Sequence, residues 1–423
     1  MTTRQRIGLA TALPLLATVA LAQGPLDPAG APNPNFKTLQ QVEPRIDLAT
    51  VPGDGSSMHR IDQPGSYYLT DNLDVTTTDG IRIIASGVTL DLMGFTIFRS
   101  SQAASTGTAI NITGSGLRNI RITNGHITGG ILYDSQAAGD QFTGPGFNNG
   151  IDEVAAIDPE NVRVSHIHVS GMNFNGIDTS SASSTISNTV EHCSVHTCGL
   201  FGILSGEVHH CTAIVCGGNA IQARGNVSHS RGQSVGSGRG IDALGNVADS
   251  YGDSSQGDGI GSDANVINSY GVSDEGNGIL ASGNVINCYG RTNGDTGIFS
   301  NRSVSNSYGE STGSRDGIFA TYNIVNSYGE SDGDDGLDSG GNVFNSFGRT
   351  TDAGLNSHGI EVTFNVANSR GFTSGAGDGI VAGQVASYSR GETSGSGFGL
   401  TAFIAVACSV GGAESISHKY LMP

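Results

Sequence analysis

The sequence has no tryptophan, only two lysines and few charged residues, which make up 14% of the 423 positions. The two lysines, Lys37 and Lys419, lie near the ends of the chain, which excludes a lysine base from its middle. The formal charge of −18, from 38 acidic and 20 basic side chains, repels nucleic acid, so we expect no nucleic-acid partner. The 65 glycines are typical of a repetitive chain and not of an ordinary globule.

The first 22 residues have the features of a secretory signal. Arg4 and Arg6 precede an apolar stretch from Ile7 to Leu21, and a small residue, Ala22, ends it. The stretch is shorter than the roughly 20 residues that a membrane span needs. We therefore expect a secreted, periplasmic or cell-surface protein with no membrane span in the mature chain.

A short motif, Gly-Asn-Val-x-Asn-Ser-Tyr-Gly followed by a Ser/Gly/Asp run and Gly-Ile, recurs mostly every 19 or 20 residues. We call the aliphatic residue after the last glycine the anchor. The anchors of the regular part are Ile221, Ile241, Ile260, Ile279, Ile298, Ile318, Leu337, Ile360, Ile380 and Leu400. Earlier anchors, at Ile110, Ile151, Ile177 and Ile203, are further apart, so the early coils are longer and carry loops.

This period is too short for helix-pair repeats, which need more than about 30 residues each. Short alternating apolar segments with glycine at the corners instead fit one turn of a parallel β-helix, in which equivalent residues stack about 4.8 Å apart. We predict an all-β, single-stranded parallel β-helix of about 15 coils over residues 81–410. Residues 23–80 are predicted as a tether and N-terminal cap, with a short helix near Thr38 to Val42 and a hairpin-like segment at Gly65 to Leu69. Residues 411–423 form a tail.

Stacking the coils predicts continuous columns of like residues. The anchors and the valines, such as Val266, form inward aliphatic columns, and a Ser/Cys column that includes Ser269 and Cys288 lines a corner. An asparagine column that includes Asn268 suits a turn, because asparagine tolerates unusual dihedrals. The column from Tyr251 to Phe347 predicts an aromatic stack whose direction, inward or outward, the pattern leaves open.

The segments Val-Ile-Asn-Ser-Tyr-Gly, Val-Ile-Asn-Cys-Tyr-Gly and Gly-x-Gly-Ile, across residues 81–410, resemble right-handed parallel β-helix proteins of the pectate-lyase-like superfamily. The resemblance covers about three quarters of the chain and is architectural. It implies a right-handed coil and a functional range that includes secreted polysaccharide lyases, polygalacturonase-like hydrolases, epimerases, phage tailspikes and surface adhesins.

Four cysteines form two pairs on neighbouring coils. Cys193 and Cys211 stand ten residues before their anchors, and Cys198 and Cys216 stand five before. A spacing of about 4.8 Å permits two coil-to-coil disulfides, and an exported compartment is oxidising. The alternative is a buried stack of free thiols that act as small hydrophobic residues.

Histidines occupy one column in the irregular coils, each two residues after the valine of its coil: His166, His192, His210 and His229, with Asp249 next. Stacked imidazoles can bind a transition metal, whose identity the pattern leaves unknown, or act as general acid and base. The alternative is that histidine replaces asparagine in a solvated turn.

Asp152 and Asp178 directly follow the anchors Ile151 and Ile177. Carboxylates on adjacent coils resemble the acid and base pair of glycosidases. The alternative is a pair of solvated turn residues, because Asp338 holds the same place in a regular coil. The Asp-Gly corners (Asp258, Asp316, Asp335 and Asp378) make Ca²⁺ a possible cofactor, against the simpler interpretation of solvated turns.

The insertion at residues 130–149 lies near these features, so we place a site between about residues 124 and 239. The predicted catalytic residues are Asp152, Asp178, His192, His210 and Arg224. The predicted substrate-binding residues are His166, Glu191, His229 and Arg231. The resulting hypothesis is a lyase- or glycoside-hydrolase-like protein with a polysaccharide partner. The alternative is a non-catalytic structural or adhesin-type repeat protein; the oligomeric state stays open.

Overall fold

The computed structural model describes residues 44–100, 106–137, 141–153, 159–180, 187–354 and 356–420. The predicted signal at 1–22 and the predicted helix near Thr38 to Val42 lie outside these ranges. Among the described residues, no helix has the length and apolar character needed to cross a membrane.

The chain winds into a parallel β-solenoid of about 17 turns, so the predicted all-β parallel architecture is confirmed and the coil number is slightly higher than the predicted 15. Each complete coil contributes to three parallel sheets. Sheet 1, which carries the anchors, consists of Ser57–Ile61, Asp79–Ile83, Thr108–Ile112, Asn149–Glu153, Ile177–Asp178, Ile203–Ser205, Ile221–Ala223, Ile241–Ala243, Ile260–Ser262, Ile279–Ala281, Ile298–Ser300, Ile318–Ala320, Leu337–Ser339, Ile360–Val362 and the first parts of Ile380–Ser387, Phe398–Val406 and Ala413–Tyr420.

Sheet 2 carries the valine column. Its strands are Ile46–Asp47, Gly65–Tyr68, Val88–Asp91, the first parts of Arg118–Thr128 and Glu160–Met172, Thr189–Glu191, Glu207–His209, Val227–Ser228, Val247–Ala248, Val266–Ile267, Val285–Ile286, Val304–Ser305, Ile324–Val325, Val343–Phe344, Asn365–Ala367 and the last parts of the three long C-terminal strands.

Sheet 3 carries the aromatic column. Its strands are Leu73–Asp74, Thr96–Phe98, the last parts of Arg118–Thr128 and Glu160–Met172, Ser194–Cys198, Thr212–Cys216, Arg231–Ser234, Tyr251–Ser254, Tyr270–Ser273, Tyr289–Thr292, Tyr308–Ser311, Tyr328–Ser331, Phe347–Thr350, Arg370–Thr373, Arg390–Thr393 and Ser409–Gly411. A 3-10 helix at Leu48–Thr50 and a separate antiparallel pair, Leu132–Tyr133 with Phe142–Thr143, complete the structure as described.

The pairing register corrects one prediction at the N-terminal end. Gly65–Tyr68, predicted as part of a hairpin-like segment, pairs in parallel with Val88–Asp91. The strand extends the sheet of the next coil, because a parallel neighbour satisfies its backbone amides and carbonyls in place of a hairpin partner. Parallel pairing also continues to Tyr420, beyond the predicted end of the β-helix at residue 410.

Alternation along each short strand builds the core. In sheet 1 the anchor Ile279 is fully buried, Leu280 points outward and is half-buried, and Ala281 is fully buried. In sheet 3 the tyrosine points outward while the following glycine points inward, as in Tyr270 and Gly271. The direction of the aromatic column is therefore outward. Since successive side chains of a strand point to opposite faces, the interior receives mostly aliphatic residues, together with small residues such as serine, threonine, cysteine and glycine.

The rings of the aromatic column stack on one another, and an arginine covers each end of the stack. Ring centroids of Tyr251 and Tyr270 lie 5.2 Å apart, and the spacing stays at or below 5.0 Å through to Phe347. The guanidinium of Arg231 covers Tyr251 at one end, and that of Arg370 covers Phe347 at the other. Because neighbouring rings and two arginines cover the ring faces, the stack supports the solenoid and offers no free aromatic face to a ligand.

The Ser/Cys column closes the corner before sheet 3. The Ser269 hydroxyl donates to the carbonyl oxygen of Ile267 at 2.7 Å and accepts the amide of Ser250 at 3.2 Å. Cys288 replaces serine in the next coil, where its Sγ lies 3.5 Å from the Ser269 amide nitrogen. Each small side chain thus satisfies backbone groups of its own coil and of the preceding one.

We expect Ser269→Ala to lower the free energy of unfolding by about 1–3 kcal/mol, because it leaves the buried Ser250 amide without its acceptor. Ser269→Cys copies what the chain has at Cys288 and should recover part of the loss. Urea denaturation of both variants measures the difference. An alanine variant as stable as the wild type would show that the serine column has no structural role.

Candidate functional site

Asp152 and Asp178 lie beside each other on the outer face of sheet 1. Their preceding anchors, Ile151 and Ile177, are paired strand residues of adjacent coils. Two asparagines, each two residues before its anchor, hold the carboxylates: Asn149 donates to Asp152 Oδ2 at 2.8 Å, and Asn175 donates to Asp178 Oδ2 at 3.1 Å. The same spacing from the anchor is visible in the sequence, which is how these supporting residues could have been found.

The two carboxyl groups have different surroundings. Burial, and then the charge of Asp178, raises the pKa of Asp152 to about 7. Burial also raises the pKa of Asp178, but the amide and hydroxyl of Ser180, which donate to Oδ1 at 3.0 and 2.8 Å, oppose the shift, as does the charge of Arg224. Neighbouring carboxyls with unequal support for the charged form suit one acid and one base.

Arg224 joins this group from the turn that follows sheet 1. Its backbone amide donates to the Ser205 carbonyl at 3.0 Å, which fixes the turn. The side chain lines a small cleft of about 180 Å³ together with Leu204 and Asp242. A cation near Asp178 can bind an acidic or hydroxyl group of a ligand.

A polar network continues the row toward the N-terminus. Asn111 is the register partner of Asp152, and its Nδ2 donates to Asp79 Oδ2 at 2.9 Å. Arg82 pairs with the same Asp79 oxygen at 3.0 Å, and the side chain of Asp79 is almost fully buried. The sequence analysis missed this extension, because the predicted β-helix begins at residue 81 and Asp79 lies at the end of the predicted cap.

The described part of the insertion packs against turns of the following coils. Its two short strands, Leu132–Tyr133 and Phe142–Thr143, pair antiparallel, with the rings of Tyr133 and Phe142 5.0 Å apart. Phe142 lies against Gly199 and Gly217, in the turns that lead to the anchors of the next coils. A Cβ at Gly217 would lie 3.1 Å from the Phe142 ring, so at this position the glycine leaves room for the ring; at both glycines the nearest atom is a backbone carbonyl oxygen of a neighbouring coil.

The histidine column occupies a left-handed corner between sheets 2 and 3. His166, His192, His210 and His229 have φ between 50° and 56°, and the asparagines that follow in the column, such as Asn268 at 51°, have the same conformation. Few residues other than glycine tolerate this region, and histidine, aspartate and asparagine are the side chains enriched there. This geometry favours the interpretation that histidine substitutes for asparagine in a turn.

The stacking geometry also limits metal binding by this column. Ring centroids are 5.1, 4.9 and 4.6 Å apart in sequence order, so the nitrogens of successive rings run side by side. Ligands of one zinc ion lie at most about 4 Å apart, since each Zn–N bond is about 2.0–2.1 Å. Three histidines of this column therefore cannot meet at one ion in the described geometry. Desolvation, followed by the charges of the imidazoles of His229 and His192, lowers the pKa of His210.

We expect His210→Val to lower the free energy of unfolding by about 1–2 kcal/mol, because a β-branched residue is strained at φ 52°. His210→Asn, the residue that the regular coils use, should remain close to the wild type. Thermal unfolding of the two variants distinguishes the interpretations. Equal destabilisation by asparagine and valine would point to a role for the imidazole itself.

A long, open groove of about 680 Å³ lies beside this corner. Its lining includes His210, His229, Arg231, Asp249 and Tyr251. Arg231 lies over the Tyr251 ring at 5.3 Å, and His229 Nε2 lies 3.7 Å from Asp249 Oδ2.

The predicted site residues therefore form two separate groups. Asp152, Asp178 and Arg224 share the outer face of sheet 1. The four histidines, Glu191 and Arg231 belong to sheets 2 and 3 and their corner, and Glu191 there accepts Nε of Arg163 at 2.8 Å. The aliphatic core lies between the two groups. Within the described residues no hydrogen bond or ion pair joins them, so His192 and His210 do not lie within reach of the carboxyl pair.

The predicted cysteine pairs are neighbours, and their thiols are free and buried in this structure. Cys198 and Cys216 are register partners, and Cys193 and Cys211 hold equivalent corner places. Burial raises the pKa of Cys198 to about 12, so this thiol is a small hydrophobic residue here.

A second group of carboxyls, further along the chain, lies beside a cleft of about 400 Å³. The residues around it include Asp316, Asp334, Asp335 and Asp338, and the stacked rings of Phe299 and Phe319 form the floor. Burial raises the pKa of Asp316 to about 8 and that of Asp338 to about 6. The sequence analysis noted Asp316 and Asp335 as separate corners, because stacking alone did not show that one cleft collects them.

No protein-family model matches the chain, and no curated protein matches it. Among solved structures, the chain is similar to the Dettilon tailspike protein (gp208), with 10% identity, coverage of 76% of this chain and 58% of the tailspike chain, and a TM-score of 0.27. It is also similar to DFA-IIIase from Arthrobacter chlorophenolicus A6 in complex with GF2, with 11% identity, coverage of 78% and 83%, and a TM-score of 0.29. At these values neither likeness assigns a function to this chain.

Proposed function

We propose that this chain binds an extracellular polysaccharide on the outer face of sheet 1 and hydrolyses its glycosidic bonds with Asp152 and Asp178. The observation that carries the proposal is the pair of half-buried carboxyls on adjacent coils, with the pKa of Asp152 raised to about 7. Glycoside hydrolysis uses two carboxyl groups that differ in protonation, one as acid and one as nucleophile or base.

The different surroundings of Asp152 and Asp178 indicate which carboxyl is the acid and which is the nucleophile or base. Asp152 keeps its proton in weakly acidic solution and donates it to the leaving oxygen. Asp178 receives donors from Ser180 and Asn175 and lies near Arg224, so it is the carboxyl better suited to carry charge. A lyase mechanism is less well supported, because it needs a base beside a uronate and the histidines lie on the other side of the core.

Strand spacing predicts the stereochemical outcome. Side chains on adjacent coils begin about 4.8 Å apart, close to the roughly 5–5.5 Å carboxyl separation of retaining glycosidases. We therefore infer that the sugar keeps its anomeric configuration and that Asp178 is the nucleophile.

The test is a panel of acidic and neutral polysaccharides incubated with the full chain, followed by reducing-end and unsaturated-product assays. We expect new reducing ends without unsaturated products, and NMR of the first product to show retention. Asp178→Asn should remove the activity, and Asp263→Asn, in an exposed turn, should preserve it. Unsaturated products would indicate a lyase, and no product from any substrate would leave the structural role as the better interpretation.

The alternative, a non-catalytic structural or adhesin-type protein, has one specific observation in its favour. The regular coils arrange serine and asparagine in repeated hydrogen-bonded ladders, and Arg231 and Arg370 cover the two ends of the aromatic stack. In the asparagine ladders, each coil repeats the hydrogen bond of the coil before it. Binding of polysaccharide without cleavage would support this interpretation.

A further inference from the structure

Over six successive coils of the described chain, the outer face of sheet 2 carries no charged side chain, although the chain has a formal charge of −18. In one of these coils Val266 points inward and is fully buried, whereas Ile267 is half-buried and Asn268 is exposed. We call the three surface columns of these coils the asparagine face. Two columns are asparagine with one serine, and the column between them is mostly apolar. In order across the face, the columns are Asn265, Asn284, Ser303, Asn323, Asn342 and Asn365; Ile267, Ile286, Ser305, Val325, Phe344 and Ala367; and Asn268, Asn287, Asn306, Asn326, Asn345 and Asn368.

The outer faces of the other two sheets differ from the asparagine face in charge. Over the same coils sheet 1 presents Asp338 and Glu361, and sheet 3 presents Arg291, Glu310 and Glu330. A polyanion would gain no ion pair from columns of uncharged residues and would be repelled by the net charge of the chain. A polycation would be attracted to the carboxylates of the other faces. The asparagine face therefore suits a polymer without charge.

The asparagine face offers hydrogen bonds beside an apolar strip. Nδ2 of Asn287 donates to Oδ1 of Asn268 at 3.2 Å, and Nδ2 of Asn268 donates to Oδ1 of Asp249 at 3.1 Å. Each amide has two N–H donors, so both asparagines keep a second donor for which the described residues provide no acceptor. In the central column Ile286 is half-buried and Phe344 is 36% exposed. Neutral sugars match this combination, because their hydroxyl groups donate and accept hydrogen bonds and their rings have C–H surfaces.

The dimensions of the asparagine face favour one polymer chain over a protein partner. Six coils at about 4.8 Å and three residue steps at about 3.3 Å give a strip roughly 24 Å long and 10 Å wide. Its area, roughly 240 Å², is well below the about 800 Å² that each partner buries in a standard protein interface. A peptide cannot add to this face as a strand, because the backbone amides already bond between coils, as Asn268 does to the Ile286 carbonyl at 3.0 Å.

We propose that the asparagine face binds a single chain of a neutral polysaccharide that runs along the solenoid axis. The C–H surfaces of the sugars lie on the central column, and their hydroxyl groups bond to the amides on either side. Successive coils repeat these contacts about every 4.8 Å, so a longer chain makes more of them. The face belongs to sheet 2, whereas Asp152 and Asp178 belong to sheet 1, so binding here does not require hydrolysis there.

The test is affinity electrophoresis of the full chain in native gels that contain a soluble β-glucan, a mannan or a fructan, with polygalacturonate as the anionic comparison. We expect at least one neutral polymer to retard the wild type and polygalacturonate not to do so. The double variant Ile286→Ser/Phe344→Ser should weaken binding about tenfold, because it removes apolar contacts. Serine already occupies this column at Ser305, so the fold accepts it. Asn287→Asp, which copies Asp249, should weaken binding about fivefold, because it removes a donor.

The control is Val272→Ser, a similar change on the outer face of sheet 3, which should bind as the wild type does. Circular dichroism verifies that each variant is folded. The proposal is overturned if none of the three neutral polymers retards the wild type, or if the sheet 2 variants bind no more weakly than Val272→Ser. A dimer in sedimentation equilibrium that these variants convert to a monomer would assign the face to a second copy instead.

The same gels separate this proposal from the hydrolytic one. Asp178→Asn should be retarded as the wild type is, because the asparagine face is intact in that variant. Binding without any hydrolysis would contradict only the role of Asp152 and Asp178. Hydrolysis together with unchanged binding by the sheet 2 variants would contradict only the role of the asparagine face.

Discussion

Replacing Asp152 by asparagine should abolish hydrolysis and, at the same time, stabilise the protein above neutral pH. The loss of a general acid lowers the rate by about 10²–10⁴-fold. The gain in stability follows from the raised pKa of Asp152, about 7 in the fold against the ordinary 3.8, because the fold favours the protonated carboxyl. Asparagine resembles that protonated form and carries no charge that burial would penalise.

The raised pKa of Asp152 predicts how the stability of the wild type changes with pH. The contribution of Asp152 to wild-type stability is fully present below about pH 4 and is lost as the pH rises through about 7. A shift of this size corresponds to about 2–4 kcal/mol. The advantage of Asp152→Asn should therefore be small at pH 4, increase up to pH 7 and stay constant above it.

Urea denaturation of both proteins between pH 4 and 8 measures this difference. Asp263→Asn, which removes an exposed carboxylate, is the matched control and should change the stability by no more than about 0.5 kcal/mol. Parallel stability curves for Asp152→Asn and the wild type would show that the fold does not favour the protonated form. Activity retained by Asp152→Asn would exclude it as the acid.

The second large effect concerns the glycine after each aromatic residue of sheet 3. A Cβ at Gly271 would lie 2.1 Å from the Gly278 carbonyl oxygen and 2.7 Å from Cγ1 of Ile279. The nearest atom belongs to the backbone of the same coil, so it cannot move aside as a flexible side chain would. We expect Gly271→Ala to destabilise the protein by about 3 kcal/mol or more.

The control for this prediction is Gly55→Ala, where an added Cβ meets no atom within 4 Å. We expect its stability to remain near that of the wild type. Thermal unfolding of both variants, monitored by circular dichroism, measures the difference in stability. If Gly271→Ala unfolds at the wild-type temperature, the coil can widen at this position. The lack of room for a Cβ would then not explain the glycine column.

The architecture was predictable from the sequence because stacking converts a sequence period into a spatial column. The 19- and 20-residue steps place Ile260, Ile279 and Ile298 in one register, and the structure pairs them in that order. The serine and asparagine columns follow from the same step. The segment Gly65–Tyr68 was misassigned, because a single strand gives no period that would identify its partner as the next coil.

The sequence by itself determined which residues are neighbours along the solenoid: Asp152 with Asp178, Cys198 with Cys216, and His192 with His210. It could not determine which columns meet around the coil, because that depends on the turns between the strands and on which side chains point inward. Only the tertiary structure separated the histidines from the carboxyl pair by a layer of aliphatic side chains. It also brought Asp316, Asp334 and Asp338 to one cleft, because side chains of two adjacent coils converge there.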